Sequence, residues 1–116
     1  MPFTIQDEKQ YPVEVTAVYQ AACAAVSGIE GKTHVQDEFA RNIFVRFDKK
    51  ILGYDLAERT EMNITITAPN GQGSRVAVEI YPLNAIGQKL MFGARKGVSR
   101  TVADWFFAHL EHRLPK

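Results

Sequence analysis

The sequence predicts an α+β two-layer sandwich, with one antiparallel sheet of about four to six strands and an N-terminal and a C-terminal helix on the same face. Three observations carry that expectation. Apolar residues recur at helical spacing near the two ends of the chain. Between those stretches the period drops to two, so side chains alternate between an apolar and a polar face. Strands of that kind form a sheet covered on one side only, and each helix has one main apolar face with which to cover it. At 116 residues the chain has the length of a single domain, and residues 1–116 are expected to form one.

Taken in order, Phe3-Thr4-Ile5 is expected as a short edge strand. Pro12 suits the first turn of a helix, where its missing N–H would be unpaired anyway. Val15, Val18, Tyr19, Ala22 and Val26 follow at helical spacing with Cys23 on the flank, and Gly28 ends the pattern. The alanines make this a slim helix that can approach a sheet closely. Ile29 to Gln36 is a weaker strand pattern. Asn42 to Phe47 alternates well, with Ile43, Val45 and Phe47 on one face, and Ile51 to Leu56 is read as a further strand despite Gly53 and Asp55.

The clearest element is a hairpin. Met62, Ile64 and Ile66 form one inward set, Val76, Val78 and Ile80 the other, and Pro69-Asn70-Gly71-Gln72-Gly73 supplies the turn. Matching the two sets pairs Ile66 with Val76, Ile64 with Val78 and Met62 with Ile80. A slip of one residue would turn all six outward. Leu83 to Gly97 is a connection of mixed character. The last helix is expected from about Val98 to Arg113, capped by Gly97 or Ser99 and closed by Pro115.

This order resembles small bacterial domains with a β-α-β4-α arrangement, similar to the TATA-binding-protein-like fold and more distantly to helix-grip proteins. The residues that carry the likeness are the helix Pro12–Val26, the strands Asn42–Phe47, Met62–Thr67 and Arg75–Ile80, and the basic Gly-rich turn into the final helix. The resemblance implies a fold and no activity. Helix-grip kinship would imply an apolar pocket between the last helix and the sheet, although a chain with a single first helix leaves little room for a large one.

Chemistry is sparse. Cys23, the only cysteine, lies among alanines with no base beside it in sequence, and reads as a small packing residue. His109 and His112 are three apart on the last helix with no third ligand in view, so no metal site is expected. Ser99, Asp104 and His109 point to different helix faces and form no triad. Glu58 and Glu61 flank Thr60 in what reads as a solvated connector. No catalytic residue and no cofactor are therefore expected. Phe44-Val45-Arg46-Phe47 is similar to the second half of the aromatic motif of RNA-recognition domains, but the first half fails and the net charge is only +1. A nucleic-acid partner is not expected. Neither is a membrane, since no apolar run is long enough to span one and the N-terminus lacks a signal-peptide pattern. A cytoplasmic location is expected.

The small net charge hides an asymmetry. Residues 1–40 carry six acids against two bases, and the remainder twelve bases against seven acids. Two surfaces follow as candidates. The open face of the sheet, with Phe44, Arg46, Thr65 and Tyr81, is expected to meet a protein partner or a second copy of the chain. The alternative is a small anionic or amphipathic ligand held between the basic turn 93–100 and the last helix, by Phe92, Arg95, Lys96, Arg100, Trp105 and Phe106. The chain is thus expected to be a non-enzymatic binding or interaction domain.

Overall fold

The hairpin register expected from alternation alone is the register adopted. A computed structural model describes residues 4–56, 59–69, 73–84, 86–88 and 97–114. In it β6 (Thr60–Thr67) pairs with β7 (Ser74–Pro82), with Met62 opposite Ile80, Ile64 opposite Val78 and Ile66 opposite Val76. All six side chains are buried. The tip residues Asn70 to Gln72 lie outside the described residues.

The remaining strands assemble around this hairpin. β3 (Asn42–Phe47) joins β6 and buries Ile43, Val45 and Phe47 on the same side as Ile64. β2 (Lys32–Asp37) pairs with β3 and forms one edge of the sheet, while β1 (Ile5–Tyr11) pairs with β7 and forms the other. The five strands run in the order β1-β7-β6-β3-β2, and every pairing is antiparallel. The two-layer α+β architecture is as expected.

Four local expectations are corrected. The first strand runs from Ile5 to Tyr11, beyond the expected Phe3–Ile5, because pairing with β7 overrides the weak β-propensity of Gln-Asp-Glu-Lys-Gln. Pro12 precedes the first helix instead of opening it: α1 is Val15–Gly28, and the Glu14 carboxylate caps it by accepting from the N–H groups of Thr16 and Ala17. Ile51–Leu56 is not one strand. It is a tight hairpin of β4 (Lys50–Ile51) and β5 (Tyr54–Asp55), turned by Leu52 and Gly53 at φ 52° and 84°. Glu61 is no connector residue either, since it lies within β6.

α2 (Val98–Arg113) has the expected bounds, with Gly97 in the cap position at φ 108°. Ser99 is inside the helix and buried, so it does not cap. The two helices pack on each other and on one face of the sheet. α1 contributes Val18, Ala21, Ala22, Ala25 and Val26 to the core, and α2 contributes Val102, Ala103, Phe106, Phe107 and Leu110. The Phe106 and Phe107 rings meet edge to face with centroids 5.4 Å apart. Cys23 is half-buried against this core, and burial raises its thiol pKa, which suits packing and not nucleophilic attack.

Candidate functional site

With both helices on one side, the outward residues of the sheet form rows running across the strands. One row is Lys32, Arg46, Glu61 and Tyr81, from β2, β3, β6 and β7. The next is Val35, Phe44, Asn63, Glu79 and Gln6, and the third is Asp37, Asn42, Thr65, Ala77 and Glu8. A fourth holds Thr67, Arg75 and Gln10.

The first row is filled. Glu61 is 8% exposed although it faces away from the helices. Its Oε2 accepts from Arg46 Nη2 at 2.6 Å and Nε at 3.1 Å, and its Oε1 accepts from the Tyr81 hydroxyl at 3.0 Å. Burial, then the hydrogen bond to Glu61, pushes the Tyr81 phenol up to about 12. In the fourth row Arg75 leans toward Glu8, Nε to Oε1 3.9 Å. Between these two rows the central side chains are short.

The result is an open trough of about 920 Å³ over the second and third rows. Asn63, Thr65 and Ala77 line it centrally, Val35 and Phe44 stand on the β2 side, and Gln6, Glu8 and Glu79 on the β1 side. Phe44 is steadied by His34, whose ring lies at 6.2 Å between centroids. Gln6 donates to the Glu79 carboxylate at 3.1 Å. Two carboxylates, Glu8 and Glu79, face the trough, and among the described residues its lining holds no base.

The four open-face residues expected from the sequence thus part company. Phe44 and Thr65 line the trough, whereas Arg46 and Tyr81 hold Glu61 beside it. The sequence reading missed Gln6, Glu8 and Val35, because the edge strands that carry them show little alternation. It also missed Glu61, which the period of β6 extended back by one step would have placed outward.

The residues of the alternative site are not gathered among those described. Phe92, Arg95 and Lys96 lie outside the described residues. Phe106 is fully inside the core. Trp105 leans on Tyr54 of the β4–β5 hairpin, with centroids 5.6 Å apart. The Arg100 guanidinium reaches Asp7 of β1 at 3.0 Å and Asp104 at 3.7 Å. His109 faces Arg113 and has a pKa lowered first by burial, with no cluster of metal-ligating groups among the described residues.

In structure the chain is similar to Ara h 8.0201, with a TM-score of 0.67 and 12% identity over 94% of this chain and 95% of that one. A DUF4468 family protein from Bacteroides ovatus is a looser match, with a TM-score of 0.41 and 16% identity over 95% of this chain and 78% of that one. No family model matches the chain, and no curated protein matches it in sequence. At 12% identity the first likeness concerns the fold alone, and no functional residue is carried across from it.

Proposed function

We propose that this chain is a non-enzymatic interaction domain whose open sheet face takes a protein segment bearing basic and apolar side chains. The observation that carries this is the trough itself: a floor of short side chains, an apolar wall of Val35 and Phe44, and carboxylates facing them. An apolar wall gives contact area, and Asn42, Asn63 and Gln6 offer amides to a polar backbone or side chain. With no base in the lining among the described residues, the trough favours a cationic partner over a phosphate backbone, so nucleic acid is not the partner in this reading. A second copy on this face would set like carboxylates together, since an isologous contact buries the same patch on both copies.

The finer kinship, to TATA-binding-protein-like domains or to helix-grip proteins, belongs to the same proposal. In support of it, both helices share one face of an antiparallel sheet and leave the other open. A cytoplasmic location is proposed as well, on the free thiol of Cys23. Among the described residues no helix is long and apolar enough to cross a membrane.

The test is a titration of the 15N-labelled protein with a basic amphipathic peptide and with its acidic counterpart. The basic peptide is expected to shift the amides of Asn63, Thr65 and Ala77, and Thr65→Arg to weaken binding at least tenfold. Shifts confined to α2, or equal responses to both peptides, would refute the reading.

A further inference from the structure

We propose that two copies of this chain pair antiparallel along β2, joining their sheets into one of ten strands. β2 is an edge strand, all six of its residues are exposed, and no described strand pairs with its outer side. An edge of this kind is a template for another chain unless something blocks it.

The sequence of β2 is complementary to itself when reversed. In Lys32-Thr33-His34-Val35-Gln36-Asp37, a two-fold axis through the centre sets Lys32 opposite Asp37, Thr33 opposite Gln36 and His34 opposite Val35 of the second copy. Directly opposed residues in an antiparallel ladder must share a face. They do here. Lys32 and Asp37 pair with the outward residues Arg46 and Asn42 of β3, while Thr33 and Gln36 pair with the inward Val45 and Ile43. The axis therefore makes two Lys–Asp pairs on the open face and two Thr–Gln pairs on the helix face. Neither Lys32 nor Asp37 has an ion-pair partner among the described residues.

The bulge between Thr33 and Val35 falls at the centre of this repeat, leaving two regular pairs on each side of it. Continued past the strand ends, the same register sets Phe39 opposite Glu30 of the second copy. Phe39 is 97% exposed, held at the β2–β3 turn by Asp37 Oδ1, which accepts from the N–H groups of Phe39 and Ala40. Glu30 accepts from the Leu52 N–H and so anchors the turn that carries the exposed Leu52. Val35, Phe39 and Leu52, three of the large apolar side chains left in solvent, thus lie along one seam.

The other edge does not offer this. A two-fold axis through the middle of β1 opposes Glu8 to itself, and Asp7 and Lys9 are already held by Arg100 and Glu111 of α2. Pairing at β2 would also set the Val35 sides of two troughs next to each other, giving one groove across both copies. The edge contact stands or falls independently of what fills the trough.

The experiment is light scattering and sedimentation of the purified chain over a wide concentration range, with charge swaps at exposed positions. The wild-type chain is expected to dimerise. Lys32→Asp and Asp37→Lys should each weaken self-association about tenfold or more, because two attractive exposed pairs become repulsive. Mixed together, the two variants should form a heterodimer in which both pairs are restored. Circular dichroism checks that each variant keeps its fold, and Thr65→Arg in the trough should leave the dimer intact. A monomer at the highest concentration, or a dimer indifferent to both swaps, or swaps that fail to rescue each other, would overturn the proposal.

Discussion

Glu61 is the residue on which the open face turns. A carboxylate this well covered costs free energy unless its oxygens are fully hydrogen-bonded, and Arg46 and Tyr81 supply the donors from either side. Removing it takes away the carboxylate that accepts from both Nε and Nη2 of the Arg46 guanidinium, so Glu61→Ala should destabilise the fold by about 1–3 kcal/mol in denaturant melts. Tyr81 gives the cluster a pH signature. Its phenol ionises near 10 when unfolded and is pushed up to about 12 in the folded chain. Its contribution to stability is therefore complete below pH 10 and is lost as pH rises through 12. Tyr81→Phe should flatten that part of the alkaline stability profile, as read by chemical unfolding at successive pH values. The aromatic rings themselves could be placed on this face from alternation alone. Glu61 could not, because Glu58-Arg59-Thr60-Glu61 reads locally as a solvated stretch, and its partners come from strands 15 and 20 residues away.

At the scale of elements, the link from α1 into β2 is closely packed against the core. A Cβ at Gly31 would lie 2.7 Å from Phe47 Cε1, 2.7 Å from Val45 Cγ2 and 2.8 Å from Val26 Cγ1. All three neighbours belong to buried core residues, so little can give. Gly31→Ala is expected to cost about 1–3 kcal/mol, measured as a fall in the denaturation midpoint. The cap at Glu14 acts in the other direction, toward acid. Hydrogen bonds from Thr16 and Ala17 lower its carboxyl pKa, so this stabilisation is present above the ordinary value of 4.5 and is lost as pH falls below it. Helix and strand types were readable where periodicity was strong, as in Met62–Ile80 and Val98–Arg113. Bounds failed where a polar edge strand gains its order from its neighbour, as β1 does from β7, and where two positive-φ residues fold a short run back on itself.

At the scale of the molecule, the first strand and the last helix close the structure. Asp7 meets Arg100, and Lys9 meets Glu111 at 3.3 Å while its ammonium lies 4.8 Å from the Phe107 ring centroid. The Tyr11 hydroxyl donates to Glu111 at 2.8 Å. Burial and that carboxylate raise the Tyr11 phenol pKa. These groups are about a third to half exposed, so the contacts are screened. Asp7→Asn and Lys9→Met should each cost less than about 1 kcal/mol at low salt, and the difference from wild type should shrink in high salt. The acidic opening of the chain does meet its basic remainder, in the pair Asp7–Arg100, though Lys9–Glu111 runs the opposite way. What the sequence determined by itself was local: two helices, an alternating hairpin with its register, and an antiparallel sheet with one face covered. Those follow from period, and period acts between residues a few positions apart. Only the tertiary structure decided which strands became edges, and that the outward rows leave a trough lined by carboxylates. Both depend on β1 and β2, whose partners are set by long-range pairing that polar, weakly alternating segments do not announce.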